Sequence, residues 1–332
     1  MKKRQQGKMF LRISFAVIII VLYVSIPVSH AQNIGKITIG IAQWGSSPDY
    51  ERSVQGFKDG LKDTGFIEGK NVEYIIKNPE GDFDGQVKII EAFVKNKVDL
   101  IYSLTTPGTL AAKSVTKNVP IVFSIVTYPV EAGVIDSLDS SGNNLVGTRN
   151  YVPAARQYFF FEKLFPHTKT LAFVHHRGEP NSVIQFNEFK EVLAKRKISV
   201  VDVAAIDLED MRKQLESNIE QFDSLYLACD TLIQTGGDKI AIELSKKNKK
   251  PNFSCIEGGV AEGALYGNVA DVYTIGKISG KKAALILGGT PPTRIISETL
   301  REDYILVNKK TAEELNIVIP QDILEKAAKV IE

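Results

Sequence analysis

Polar, acidic and aromatic side chains follow the predicted strands of this 332-residue sequence. Hydroxyls, amides, carboxylates, imidazole and aromatic rings at such places can hold a small molecule by hydrogen bonds, ion pairs and stacking. In open α/β sheets, ligands bind beyond the carboxyl ends of the strands, where helix N-termini also point. The rule selects twelve candidate ligand-binding residues, which are Gln43, Trp44, Thr105, Thr106, Thr127, Tyr128, His175, Asn181, Ser182, Asp230, Thr231 and Glu257.

Two predicted helix starts are suited to an anion. Thr105-Thr106-Pro107-Gly108 is typical of a hydroxyl cap followed by proline in the first helical turn. Backbone N–H groups and the positive end of the helix dipole at such a start favour a carboxylate. Asn181-Ser182 is predicted to cap a helix in the second half of the chain in the same way. At both places, ordinary capping without ligand contact is the alternative.

Acidic and aromatic candidates complete the set. Asp230 and Glu257 could each bind an ammonium group, but Asp230 could instead cap the following helix, and Glu257, beside two glycines, is expected to be exposed to solvent. Trp44 is the only tryptophan and could stack on a flat or apolar group. Packing under the first helix is the alternative for Trp44.

Metal binding and catalysis are not expected. His175, His176 and Glu179 lie close in sequence, but adjacent strand residues point to opposite faces, so the two histidines do not easily share one ion. One of the pair, His175 in our assignment, is expected to hydrogen-bond in the cleft. The sequence has no G-x-S-x-G, H-E-x-x-H, C-x-x-C or Walker A motif, and no G-x-G-x-x-G after a strand. We therefore assign no catalytic residue, no metal and no cofactor.

Two successive series of strands and helices must position these residues. The first runs from strand Lys36–Ile41 to strand Leu145–Thr148 and includes a short helix near Val130–Ser137. The second runs from helix Ala154–Phe165 to strand Leu265–Asn268. Because parallel strands need helical crossovers, the fold class is predicted to be α/β, with two doubly wound parallel-sheet lobes joined by a multi-crossing hinge.

The predicted domains follow from this pattern. They are a signal peptide at 1–31, an N-terminal lobe at 32–150 to which 272–296 returns, a C-terminal lobe at 151–271, and a last hinge crossing with C-terminal helices at 297–332. The lobes are predicted to close on ligand about crossings near Arg149–Val152, Asn268–Val272 and Pro292–Ser297, because a few residues between regular elements can absorb the dihedral change.

The N-terminus predicts export. Five basic residues precede an apolar run from Ile13 to Val28, and Ser29-His30-Ala31 provides small residues for cleavage, so the mature chain should begin near Gln32 in the periplasm or outside the cell. An uncleaved membrane anchor is the alternative, although the run is short for a spanning helix. Without the five basic residues the net charge changes from +2 to −3, with 36 basic against 39 acidic residues. This balance gives no reason to expect nucleic acid as a partner.

Cys229 and Cys255 are the only cysteines. Their predicted strands should be neighbours in the second lobe, and an exported protein can carry a disulfide. We expect two buried thiols, with a bridge as the alternative.

Five short segments carry a family resemblance. They are Asn78-Pro79-Glu80-Gly81-Asp82, Pro120-Ile121-Val122-Phe123, Asn144-Leu145-Val146-Gly147, Glu179-Pro180-Asn181-Ser182 and Leu306-Val307-Asn308. In this order they resemble the TrpX-like ABC transporter substrate-binding family, over residues 37–331. The resemblance implies a type I periplasmic-binding fold with three crossings, and some relatives bind tryptophan or other aromatic amino acids.

Some candidate residues match the pattern of that family and others depart from it. The Thr106-Pro107 segment and Asp230 match it, whereas Tyr128 stands where relatives often have Asp, and His175-His176 where they tend to have Tyr-Asn. The missing acid at Tyr128 makes the pocket more apolar and argues against a plain amino acid. Together the caps, Asp230, Trp44 and Tyr128 still favour a zwitterion with an aromatic or large apolar group.

The resulting hypothesis is an extracytoplasmic solute-binding protein of an ABC importer. Its expected partners are a small-molecule ligand and the membrane permease, and we expect a monomer. An aromatic or large apolar amino acid or a related carboxylate is the candidate ligand. A sensor of the same fold that reports ligand to a membrane receptor is the alternative. An exported enzyme is the least favoured hypothesis, because no catalytic or metal-binding motif supports it.

Overall fold

The structure is a computed structural model that describes residues 36–332. The predicted signal peptide and its cleavage site lie outside these residues. The described strands are β1 (Ile37–Ala42), β2 (Val72–Lys77), β3 (Leu100–Leu104), β4 (Ile121–Ser124), β5 (Leu145–Arg149), β6 (Thr170–His176), β7 (Ser199–Ala205), β8 (Ser224–Leu227), β9 (Asn252–Ser254), β10 (Tyr266–Val269), β11 (Glu298–Thr299), β12 (Tyr304–Asn308) and β13 (Ala327–Ile331). The α-helices are α1 (Pro48–Lys62), α2 (Phe83–Lys95), α3 (Thr106–Val115), α4 (Ala154–Leu164), α5 (Pro180–Ala194), α6 (Leu208–Asn218), α7 (Asp238–Lys247), α8 (Glu257–Glu262), α9 (Val272–Leu287), α10 (Lys309–Glu314) and α11 (Gln321–Lys326).

Each lobe is built on one sheet with helical crossovers. The first sheet has the strand order β11-β5-β4-β3-β1-β2 and the second has the order β13-β12-β10-β9-β8-β6-β7. All neighbouring strands are parallel except β10 and β12. The predicted fold class is therefore confirmed. In both sheets the order reverses at one place, between β1 and β3 in the first and between β6 and β8 in the second. These two switch points are where this fold class binds ligands.

The chain crosses between the sheets three times. The crossings are residues 150–153, 270–271 and 300–303, which join β5 to α4, β10 to α9 and β11 to β12. The first two overlap the predicted segments. The third prediction, Pro292–Ser297, was wrong, because β11 pairs with β5 and keeps the chain in the first sheet until Thr299.

Helix α9 returns to the first lobe and packs closely against α1. Four glycines allow the contact: a Cβ on Gly56 or Gly60 would lie 2.1 Å from a carbonyl oxygen of α9, and one on Gly276 or Gly280 would lie 2.0 or 2.2 Å from one of α1. The two backbones therefore touch directly, which fixes α1, and with it Tyr50, against the first sheet.

Aromatic residues dominate the core of the second lobe. Phe189 stacks on Tyr226 with ring centroids 4.1 Å apart, and Tyr226 lies 4.7 Å from Phe253. Tyr226 also donates its hydroxyl proton to Gln157, at 2.7 Å. A rigid core beneath the strand ends holds the polar residues there in place.

Two local predictions were wrong. Residues 130–137 form turns rather than a helix, because the backbone reverses sharply, with the N–H of Val134 bonded to the carbonyl of Pro129 at 2.8 Å. Cys229 and Cys255 form a disulfide rather than two thiols. They follow the paired strands β8 and β9 and their Cα atoms are 5.5 Å apart, within the range that a bridge spans.

Candidate functional site

The two switch points meet across the boundary between the lobes. The hydroxyl of Tyr50, in the first lobe, donates to the side-chain carbonyl of Gln234 in the second, at 2.7 Å, and both residues are buried. A Cβ on Gly45 would lie 3.2 Å from the methyl carbon of Thr235. The strand ends of one sheet therefore face those of the other across the boundary between the lobes.

Thr105 begins α3 at the switch point of the first lobe. Its hydroxyl accepts a hydrogen bond from the N–H of Gly108 at 3.3 Å, which confirms the predicted cap. Its backbone has φ 68° and ψ 161°, and Ile125, at the end of the neighbouring strand β4, has φ 58°. Both are β-branched residues in the region that normally requires glycine, and such strain concentrates at ligand sites.

Trp44 lies beside that helix start. It is buried in the apolar cluster that includes Tyr50 and Val54. Its ring also borders the first turn of α3, since a Cβ on Gly108 would lie 3.3 Å from its Cε3 atom. Gln43, just before it, is half-buried and its backbone N–H bonds to the carbonyl of Lys77 at 2.9 Å.

Thr127 and Tyr128 are engaged by protein groups at the hinge. The Thr127 hydroxyl donates to the side-chain oxygen of Asn150 at 3.0 Å. The Tyr128 hydroxyl donates to Glu188 of α5 at 2.6 Å, and burial together with that carboxylate raises the pKa of Tyr128. Glu188 also accepts from Tyr151, at 2.9 Å. At Tyr128 this chain thus has a phenol that links the two lobes.

Acidic residues form the second lobe's part of the site. One carboxylate oxygen of Asp230 accepts from the N–H of Ile233 at 3.0 Å and the other from the N–H of His176 at 2.8 Å. Glu179 accepts from the N–H of Thr231 at 3.1 Å and from its hydroxyl. Asp230 therefore caps the helical turns that follow it at residues 231–237, which is the alternative that the sequence left open, and it also ties together the ends of β6 and β8.

Burial dominates the electrostatics of this acidic group. It raises the pKa of both Glu179 and Asp230, and the charge of Glu179 raises that of Asp230 further. Burial, followed by the charges of Glu179, Asp49 and Asp230, raises the pKa of Tyr50. The imidazole of His176 lies beside Glu179, with Nδ1 3.8 Å from the carboxylate. A ligand cation here would favour the ionised carboxylates.

Three predicted residues of β6 and α5 face other protein groups. His175 stacks on Phe186 with centroids 5.4 Å apart and bonds to Asp202 at 2.8 Å, whereas His176 is the histidine beside Glu179. Asn181 donates to the carbonyl of Cys229 at 2.9 Å, and Ser182 donates to that of Glu179 at 2.9 Å. Asn181-Ser182 is not the predicted cap, because α5 begins at Pro180 and Glu179 holds the cap position.

Glu257 is not exposed as expected. Its side chain is 11% exposed and forms ion pairs with Arg52 of α1 and Lys329 of β13. Because Arg52 belongs to the first lobe, Glu257 contributes to the contact between the lobes.

Four residues that lie beside the candidates were missed by the strand-end rule. Tyr50, Gln86 and Gln234 lie within helical segments, and Glu179 was considered only as a metal ligand. Glu179 directly precedes the proline that begins α5. This signal could have identified Glu179 as the residue at the cap position of that helix. Within residues 36–332, no cluster of three or more His, Cys, Asp or Glu side chains is arranged to hold a metal ion.

Comparison with known proteins identifies the family. The defining pattern of the ABC transporter substrate binding proteins matches residues 38–331, so the chain belongs to this family. A tyrosine-binding protein of Clostridioides difficile (strain R20291) is 31% identical over 296 residues, which are 87% of this chain and 86% of that protein. The chain is thus a substrate-binding protein of an ABC transporter.

Solved structures show the same fold. The ABC domain from Streptococcus pneumonia in complex with L-Trp has a TM-score of 0.86 at 27% identity, covering 90% of this chain and 100% of that one. The ligand-free, open structure of a substrate-binding protein with adhesive properties from Clostridium difficile has a TM-score of 0.70 at 27% identity, covering 89% and 99%. The fold is that of type I periplasmic binding proteins.

These two scores agree with the contacts across the cleft. At equal identity, the chain is more similar to the L-Trp complex than to the open structure. The bond between Tyr50 and Gln234 and that between Tyr128 and Glu188 join the lobes here. The described residues therefore represent a closed arrangement. None of their helices combines the length and apolarity needed to span a bilayer.

Proposed function

We propose that this protein captures an aromatic amino acid, such as L-tryptophan or L-tyrosine, between its lobes and presents it to the permease of an ABC importer outside the cytoplasm. The supporting observation is the pairing of opposite chemistries across the cleft. The start of α3 and the ring of Trp44 lie on one side, and the buried acids Glu179 and Asp230 on the other. A helix start suits a carboxylate, the acids suit an ammonium group, and the indole suits a ring.

We also propose that the protein binds its ligand without catalysing a reaction. The polar groups of the site are mostly engaged in fixing one another, as with Asp230, which accepts two backbone N–H bonds. Such a site is preorganised for affinity rather than for proton transfer. The ligand should therefore be recovered chemically unchanged. We propose separately that the mature protein acts as a monomer.

A thermal-shift screen tests the proposed ligand class. The mature protein, from residue 32, is heated alone and with saturating amino acids, nucleobases, sugars or small carboxylates. Because a ligand that binds only the folded state raises the melting temperature by mass action, L-tryptophan or L-tyrosine should give the largest shift. A largest shift with a sugar or a nucleobase would refute the ligand class, and conversion of the bound compound on mass analysis would refute the non-enzymatic role.

A further inference from the structure

The side-chain amide of Gln86 is buried without a partner at the first turn of α3. Gln86 is the fourth residue of α2 and is completely buried. Within the described part of the chain, neither its Oε1 nor its Nε2 atom makes a hydrogen bond. An amide buried in this way is costly, and native proteins retain one where another group satisfies it.

Other buried glutamines show the contrast. Gln157 donates to the carbonyl of Val152 at 2.7 Å and accepts from Tyr226 at 2.7 Å. Gln185 likewise uses both amide atoms, with Tyr226 at 2.9 Å and the N–H of Cys229 at 2.8 Å. Gln86 is as buried as these two residues, yet its side-chain amide forms no hydrogen bond with any of the described residues.

The surroundings of Gln86 locate its missing partner. A Cβ added to Gly108, in the first turn of α3, would meet three nearest atoms: Gln86 Nε2 at 3.2 Å, Thr105 Oγ1 at 3.2 Å and Trp44 Cε3 at 3.3 Å. The amide, the hydroxyl and the indole therefore surround one point at the N-terminal end of a ten-residue helix. Helix N-termini attract anions through the backbone N–H groups and the dipole, and an amide N–H adds a directed donor.

We propose that Gln86 completes a carboxylate-binding site at the start of α3 and makes the protein prefer ligands that carry a free carboxylate. This inference rests on the proposed function and assigns one end of the amino acid to the first lobe. Gln86 Nε2 donates to the carboxylate beside Trp44, and Oε1 is available to accept from the neighbouring ammonium group of the same zwitterion. The acids Glu179 and Asp230 then face the ammonium side from the second lobe.

Two variants of Gln86 test this assignment. Gln86→Met keeps the size of the side chain but removes the donor and the acceptor, so L-tyrosine should bind roughly 10- to 100-fold more weakly, as for loss of a hydrogen bond to a charged group. Because the unpartnered amide is removed, the melting temperature without ligand should be unchanged or higher. Gln157→Met, the control, should lower that melting temperature. Gln86→Glu places a carboxylate against the ligand's own and should weaken L-tyrosine binding more than Gln86→Met does.

Calorimetry with L-tyrosine and L-tyrosinamide supplies the readout. The amide lacks the anionic group, so the penalty of Gln86→Glu relative to Gln86→Met should be at least tenfold smaller for L-tyrosinamide than for L-tyrosine. Wild-type affinity for L-tyrosine in Gln86→Met, or equal penalties for the two ligands in Gln86→Glu, would overturn the assignment while leaving the proposed function intact. Failure of the wild-type protein to bind L-tyrosine and L-tryptophan would overturn the proposed function together with this inference.

Discussion

Trp44 is both a core residue and the only indole of the chain. Its position in the core around Tyr50 agrees with the packing alternative left open by the sequence, and its border with the first turn of α3 leaves ligand contact a prediction. A measurement on the bound state tests that contact.

Substitution of Trp44 provides that measurement. Trp44→Ala should weaken aromatic amino acid binding by about 1–3 kcal/mol, through lost stacking and lost burial of apolar area. Titration calorimetry measures the loss, and Phe159→Ala, a partly exposed aromatic on α4, is the matched control. In the wild-type protein, emission excited where tyrosine does not absorb comes from Trp44 alone, so L-tyrosine should change it. Unchanged emission at saturation would place the ligand away from Trp44.

The acidic residues illustrate how far residue types alone can predict. The strand-end rule found Asp230 because it follows β8 at a switch point. It could not show that both carboxylate oxygens of Asp230 accept backbone N–H groups, since those partners depend on how β6 meets the following helix. Gln86 was missed for the same reason: a glutamine within an amphipathic helix has no sequence signal that separates it from an ordinary surface residue.

At the scale of elements, strand and helix periodicity predicted the order of strands and helices in the two lobes. It did not predict the place of the third crossing between the lobes or the disulfide. The segment 272–296, predicted to return to the N-terminal lobe, contains α9 (Val272–Leu287), which packs against α1. The two-residue strand β11 is too short to have a periodic pattern, so the third crossing was placed too early. The disulfide was likewise undecidable from spacing, because it requires the side chains of Cys229 and Cys255 to point to the same side of the sheet.

The disulfide should stabilise the second lobe's part of the site. It joins the ends of β8 and β9, one residue before Asp230 and two before Glu257. Replacing both cysteines by serine should lower the free energy of unfolding by about 2–4 kcal/mol, the usual effect of a bridge that closes a loop of this length. Urea unfolding of the oxidised protein and of the double variant measures the difference. Equal stability, or two titratable thiols in the unreduced wild-type protein, would contradict the bridge.

At the scale of the whole molecule, closure buries charge between the lobes. Asp49 of α1 is buried beside Gly258 and Glu257 of the second lobe, and burial, followed by the charge of Glu257, raises its pKa from 3.8 to about 6. An acid whose pKa is raised by folding stabilises the folded state while protonated, and that contribution is lost as the pH rises from about 4 through about 6.

Asp49→Asn should remove this dependence on pH. The variant keeps an acceptor for the N–H of Gly258 but carries no charge. At neutral pH it should therefore be more stable than wild type by as much as about 3 kcal/mol, the free-energy equivalent of raising the pKa of Asp49 from 3.8 to about 6. The difference should shrink as the pH falls from about 7 to about 4.5. Melting temperatures across that range measure it. A variant less stable than wild type at neutral pH, or a difference independent of pH, would contradict the buried, charged state of Asp49.

The central claim is that one aromatic amino acid binds between the two lobes. Isothermal titration calorimetry of the mature wild-type protein with L-tryptophan and L-tyrosine tests it most directly. We predict one site per chain, a dissociation constant in the micromolar range or tighter for at least one of the two, and a negative heat-capacity change from burial of the ring. Absence of binding to both amino acids, by a protein that binds a sugar or a nucleobase under the same conditions, would contradict the account.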